Sequence, residues 1–243
     1  KVLLIERDSA PKEATVRNFG QIVPSGQSLK KWFDYGRESV NIYSEIQEKT
    51  DITARKNGSY YVASDEDELM LLVDAAQIFA ERGYSSQLLS NKQCLNKITG
   101  LNKNYVKGGI FFPDELSVEP RSMIHLLIQK MVHDYDLSYL NNTSIIHCDI
   151  KKQICEVVSS VGEKYFGEKV IICNGYDFKT LFPNIFAKSE MSICKLNMMQ
   201  TYAQNQYKLP GNLLSGLSIR RYDSFKSCKS YSKIKTPDWQ KSY

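Results

Sequence analysis

Lys1-Val2-Leu3-Leu4-Ile5-Glu6-Arg7 is the stretch on which the fold turns. Four apolar residues run without a break, β-branched at both ends. A run of that kind suits a parallel strand covered on both faces. Dinucleotide-binding folds place a carboxylate at the end of such a strand, where it accepts hydrogen bonds from the ribose hydroxyls. Glu6 stands in that position, and an ordinary surface glutamate after a strand would stand there too. The chain opens inside the strand and not on Met, which predicts missing sequence upstream. The glycine-rich phosphate loop of these folds would precede Glu6 by about 20 residues, before the chain begins.

Outward from this strand, residues 8 to 26 read as a loop carrying Pro11, Gly20, Pro24 and Gly26. Leu29, Trp32, Phe33, Val40, Tyr43 and Ile46 recur at helical steps. Asn57-Gly58 marks a turn before a strand at Tyr60-Tyr61-Val62-Ala63. Residues 65 to 84 form a second helix, acidic at its start and closed by Gly83. Ser90-Asn91-Lys92-Gln93 has the form of a capping box. Gly109 to Phe112 reads as a short strand, and Pro120 opens a helix striped by Ile124, Leu127, Ile128, Met131 and Val132. Strands are predicted at 138–140, 144–148, 154–158, 169–173 and 194–202. From Ser224 the sequence is polar, lysine-rich and weakly patterned.

Composition excludes several classes. With 42% hydrophobic and 24% charged residues in a chain of 243, the protein can bury a core and is not disordered. The net charge is +5, and the basic residues are scattered, with slight extra weight at Arg220, Arg221, Lys226, Lys229, Lys233 and Lys235. That is no nucleic-acid footprint. The six cysteines form no C-x-x-C pair and sit near no histidine at zinc-ligand spacing, so no metal is expected. Most lie in apolar runs, as small buried hydrophobes of a reducing, cytoplasmic compartment. Apolar runs fall far short of the roughly 20 residues of a membrane span. His125, His133 and His147 sit in no recognisable motif.

Four further segments carry chemistry when taken in order after Glu6-Arg7. Ala14-Thr15-Val16-Arg17-Asn18-Phe19-Gly20-Gln21-Ile22 combines small residues with a glycine that lets backbone N–H groups approach a ligand. Val118-Glu119-Pro120-Arg121 leads into a helix, and Thr143-Ser144-Ile145 begins a strand. Lys169-Val170-Ile171-Ile172-Cys173 ends in Asn174-Gly175. Cys194 to Thr201 alternates polar and apolar residues, and Leu214 to Tyr222 follows.

Together these segments resemble the D-amino-acid oxidase/glycine oxidase family, which includes sarcosine oxidases and D-amino-acid dehydrogenases. The resemblance spans Lys1 to about Tyr222, with Thr15 where serine is usual. Residues 17–20, 194–201 and 214–222 are similar to a bacterial subgroup associated with phosphonate metabolism. The resemblance implies an α/β fold: an FAD-binding Rossmann-like domain of the glutathione-reductase type, interleaved with a substrate domain built on a mainly antiparallel sheet. It implies residues 1–58 and 118–186 for the FAD domain, and residues 59–117 and 187–243 for the substrate domain. It implies FAD contacts at Glu6, Arg7, Ala14, Thr15, Arg17, Asn18, Phe19, Gly20, Gln21, Ile145, Asn174 and Gly175, with Asn197, Met199 and Thr201 on the substrate side. For Ile145 a plain core strand remains an equal reading. The implied reaction is hydride transfer from an amine-bearing carbon to flavin, on a small amine or amino-acid substrate, with the imine product then hydrolysed. No protein base is assigned, and the chain by itself is expected to be inactive. Two other readings stay open: a truncated remnant unable to hold FAD, and an NAD-linked enzyme whose ribose Glu6 would suit equally.

Overall fold

The computed structural model describes residues 1–234; Lys235 and the end of the segment 187–243 lie outside the described residues. In chain order the elements are β1 (Val2–Ile5), a 3-10 turn (Glu13–Thr15), β2 (Gln21–Ile22), a 3-10 turn (Pro24–Gly26), α1 (Lys31–Lys49), β3 (Ser59–Ala63), α2 (Glu66–Glu81), β4 (Gln87–Ser90), α3 (Asn91–Lys97), β5 (Gly108–Phe112) and β6 (Leu116–Ser117). Then come α4 (Pro120–Asp134), β7 (Leu137–Leu140), β8 (Ile145–Lys151), β9 (Ile154–Ser159), β10 (Lys164–Gly167), α5 (Pro183–Ala187), β11 (Asn212–Ser215), α6 (Gly216–Arg221), α7 (Asp223–Lys226) and a last 3-10 turn (Lys229–Lys233). The chain divides into two compact units. One joins Lys1–Asn18 to Pro120–Gln200, the other Phe19–Glu119 to Thr201–Tyr243.

The second unit is built on a four-stranded sheet in the order β11-β3-β5-β4. β3 and β4 both run antiparallel to β5, and β11 lies parallel to β3. Alternation along β3 fills two cores at once. Tyr61 and Ala63 face Phe79, Leu71, Leu72, Phe112 and Phe225, while Tyr60 and Val62 face Leu89, Cys94, Ile98 and Val106. Every residue of β3 is buried. Aromatic rings interlock on the first face: Phe79 meets Phe112 edge-on at 4.9 Å, and Tyr61 meets Phe225 at 5.2 Å.

Caps fix where the covering helices begin. The Asp65 carboxylate accepts from Glu68 N–H at 2.8 Å and starts α2. Ser90 and Gln93 form the complete capping box of α3. Arg220 of α6 donates to Glu68 at 2.8 Å and to Asp65 at 2.6 Å, tying α6 to the start of α2. The polar, lysine-rich stretch after Ser224 also docks here. Phe225 and Cys228 are buried, and Ser230 N–H donates to Asp74. Tyr231 and Ile234 pack half-buried against the same core, so a few apolar side chains anchor a largely polar stretch.

In the first unit, β1 pairs in parallel with β7, Leu4 opposite Tyr139 and Ile5 opposite Leu140. The helix α4 precedes β7 and packs on it. Pro120 is its first residue, where a missing N–H costs nothing. β8, β9 and β10 form a separate antiparallel sheet in the order β10-β9-β8.

Three expectations from the sequence fail here. β1 is not covered on both faces, for Val2, Leu3 and Leu4 are 61%, 43% and 38% exposed; β7 is its one neighbour among the described strands. Residues 169–173 and 194–202 are not strands. Ile171 and Met199 are 88% and 94% exposed. No described strand offers either segment a ladder, and alternation without a partner for the backbone groups makes no strand. The cysteines divide similarly. Cys94 and Cys228 are buried, Cys148 and Cys155 half-buried, Cys173 and Cys194 exposed, all as free thiols. Burial pushes the Cys228 thiol up to about 12, which makes it a packing residue and not a nucleophile.

Candidate nucleotide site at the end of β1

Glu6 sits at the carboxyl end of β1, locked by its backbone. Its N–H donates to Leu140 O at 2.8 Å, and its carbonyl accepts from Thr143 N–H at 3.0 Å. The chain then turns so that Asp8 N–H donates to Glu6 Oε1 at 2.9 Å. Oε2 takes no hydrogen bond from a described residue. The loop after β7 clips onto this turn: Asn142 N–H donates to Asp8 O, and Asn141 Nδ2 to Ser9 O. Thr143 and Ser144 then lead into β8, whose first residue, Ile145, is half-buried and paired with Ser159.

Arg7 reaches the second turn of the site. Its guanidinium lies 3.4 Å from Asp177 and 3.8 Å from Asp8. Asp177 closes the turn begun by Asn174-Gly175, with its N–H on Asn174 O and its carbonyl accepting from Asn174 Nδ2. The Thr180 hydroxyl at 2.7 Å is the main reason the Asp177 carboxyl lies below the usual range; the Lys179 N–H and the Arg7 charge add to it. Gly175 has φ +61°, and nothing lies within 4 Å of where a Cβ would stand. Among the described residues its demand is therefore the left-handed backbone itself, without close approach by protein atoms.

Ala14 and Thr15 lie in the 3-10 turn, which packs against α4. Asn18 Nδ2 closes that turn by donating to the carbonyls of Ala14 and Thr15 at 2.9 and 3.0 Å. Arg17 pairs with Glu13 at 3.4 Å. Ala14, Thr15, Arg17 and Asn18 are exposed, so their outer surface is open to a ligand. Phe19, Gly20 and Gln21 belong to the second unit. Phe19 is 68% exposed, and Gly20 is buried with φ +65°. Val118 N–H donates to Gly20 O, and Gln21 pairs with Ser117.

The structure thus brings Glu6, Arg7, the approach to Ile145, and Asn174-Gly175 together in one unit. It does not gather Asn197, Met199 and Thr201, which lie exposed in a stretch without regular structure. His133 and His147 are exposed as well. Two features escaped the sequence. Asp177 joins Arg7 across 170 residues, which no spacing rule reveals. Tyr139, opposite Leu4, holds a buried hydroxyl without a hydrogen-bond partner, and burial followed by the Glu6 charge raises its pKa.

These atoms fit the sugar end of a flavin nucleotide. Glu6 keeps one oxygen engaged by its own turn and the other open, as a diol donor needs. The unpartnered Tyr139 hydroxyl lies within electrostatic reach of the same carboxylate.

The model of the family DAO, FAD-dependent oxidoreductase, matches residues 1–219, and the chain belongs to that family. Its cofactor is FAD, which sets aside the NAD-linked reading. Solved structures carry the same fold. Glycine oxidase from Geobacillus kaustophilus aligns with TM-score 0.67 at 15% identity, over 76% of this chain and 51% of that one. Glycine oxidase from Bacillus cereus aligns with TM-score 0.65 at 21% identity, over the same shares. L-amino acid deaminase from Proteus vulgaris, lacking its specific insertion, aligns with TM-score 0.66 at 16% identity, over 76% and 49%. The chain therefore spans about half the length of these structures. No curated protein matches the chain. Among the described residues no helix is long and apolar enough to cross a membrane.

Proposed function

We propose that this protein oxidises the carbon–nitrogen bond of a small amine or amino acid with FAD. The observation that carries the reading is a family match running from β1 through β11, with Glu6 held at the strand end where a ribose carboxylate belongs. FAD, when bound, supplies a two-electron acceptor for the hydride on the carbon that bears nitrogen.

The chain's own residues bind and orient. In this reading the Glu6 carboxylate accepts from the adenosine ribose hydroxyls, and the main chain at Ile145 borders the adenine. Arg7 and Asp177 hold the Asn174-Gly175 turn beside the same nucleotide. Ala14, Thr15, Arg17 and Asn18 present backbone and side-chain donors to it, and Phe19, Gly20 and Gln21 are further candidate contacts. The substrate role falls to residues 59–117 and 187–243, with Asn197, Met199 and Thr201 as candidate contacts. Resemblance of residues 194–201 and 214–222 to phosphonate-associated relatives adds an aminophosphonate to glycine, sarcosine and D-amino acids as substrates to try.

The test is direct. The purified chain is titrated with FAD while flavin fluorescence and visible absorption are followed. Anaerobic bleaching of the bound flavin is then measured with glycine, sarcosine, D-alanine and 2-aminoethylphosphonate. Saturable uptake of FAD is the expected result, and bleaching by one of these amines would name the substrate. A chain that takes up no FAD would overturn the reading in favour of a remnant that keeps the fold and lacks the activity.

A further inference from the structure

A buried carboxyl that the oxidation does not use lies in the second unit. Glu115 stands between β5 and β6 and is completely buried. Its Oε1 accepts from Ser25 N–H at 2.8 Å and from the Tyr84 hydroxyl at 3.3 Å. Its carbonyl accepts from Gly58 N–H at 3.0 Å. Oε2 is buried and takes no hydrogen bond. A buried acceptor left unpaired is unfavourable, so what the group contributes lies in the contacts its other atoms hold in place.

What it holds is the stretch from Gly20 to Gly26. Three links bind that stretch to the Glu115–Val118 segment in sequence: Val118 N–H on Gly20 O, the β2–β6 ladder, and Ser25 N–H on Glu115. Ser25 also shares a 2.9 Å hydrogen bond with the Tyr61 hydroxyl in the core of β3. Tyr222 closes the far side, its ring within 2.5 Å of where a Cβ on Gly26 would lie. We propose that Glu115 is the positioning residue that fixes the Pro24–Gly26 turn against β6, and through it the main chain at Gly20 and Gln21. The functional weight of this clasp rests on the reading that Gly20 and Gln21 border the flavin; the clasp itself does not.

The same surroundings make the clasp sensitive to protons. Tyr61 from β3, Tyr84 after α2 and the adjoining Asp114 face the group, and Tyr222 lies beyond Ser25. Arg37 of α1 lies over the Tyr84 ring at 6.0 Å, and Lys56 is spent on Asp114 at 2.8 Å. Among the described residues none forms an ion pair with Glu115. Burial therefore pushes its carboxyl up to about 7, against the pull of the Ser25 and Tyr84 hydrogen bonds. The folded pKa lies above the unfolded one. Stability from this group is thus complete below about pH 4.5 and is lost as pH rises towards 7.

The test compares Glu115→Gln and Glu115→Ala with the parent chain, without added flavin. Amide hydrogen exchange is read at Ser25, Ile22 and Val118, and the melting temperature is read from pH 4.5 to 8. Glutamine keeps an acceptor for Ser25 and cannot ionise. It should retain protection at Ser25 and flatten the pH profile, whereas the parent loses on the order of 10 °C between pH 4.5 and 7. Alanine should cut the Ser25 protection factor by about tenfold or more. Parent-like protection in Glu115→Ala overturns the proposal, and so does a parent-like pH profile in Glu115→Gln. An intact clasp in a chain that binds no FAD would sink the flavin reading alone. FAD uptake with an unaltered Ser25 amide in Glu115→Ala would sink the clasp alone.

Discussion

β3 and β1 are short strands with opposite fates, and the purely aliphatic β1 is the more exposed. β3 lies between two strands and under helices on both faces, and none of its side chains exceeds 6% exposure among Tyr60, Tyr61, Val62 and Ala63. β1 has one neighbour, β7, and three of its four side chains stay substantially in water. An apolar run thus specifies a strand but not its burial. Burial depends on whether other segments of the chain arrive as layers, and full burial of a Val, Leu or Phe contributes about 1.5–3 kcal/mol that β1 largely forgoes. The contrast separates a sheet buried on both faces from a strand pair that stays largely in water.

Substitutions can break or sharpen that contrast. Phe79→Ala, in the core beneath β3, should cost about 3–5 kcal/mol in urea-induced unfolding, because the cavity is walled by Phe33, Tyr84 and Phe112 and cannot collapse. Arg220→Ala should cost about 3 kcal/mol in the same assay by leaving the Glu68 carboxylate buried and unpaired. Glu6→Ala at the tip of β1 should barely move the unfolding midpoint, yet raise the FAD dissociation constant about tenfold, the worth of one charge-assisted hydrogen bond. An unchanged constant would remove Glu6 from the site. Smallest of all, Leu3→Ser should change stability by about 0.5 kcal/mol or less. A loss near that of Phe79→Ala would show that β1 is buried in solution and that the contrast is false.

Much of both units was legible from residues alone. Asp65, the Ser90–Gln93 box and Pro120 act over three or four positions, and each begins its helix as read. β4, β6, β10 and β11 went unread because two to four residues carry too little pattern. The site was legible in part. Glu6 at a strand end and glycines at positive φ are local facts, and Gly20 and Gly175 hold φ +65° and +61°. The Arg7–Asp177 link and the Glu115 clasp join residues 170 and 90 positions apart, so neither leaves a trace in spacing. Residues 194–202 alternate without pairing, and a strand needs a partner to take its hydrogen bonds.

By itself the sequence determined the local events: strand ends, helix caps, left-handed turns, and through the order of its motifs the FAD-dependent family. These rest on interactions between near neighbours in the chain. Tertiary structure decided which apolar runs are buried, which carboxyl sits where water cannot reach it, and which distant side chains meet. Burial and charge depend on every segment that packs around a group, and that sum is fixed only when the whole unit has folded.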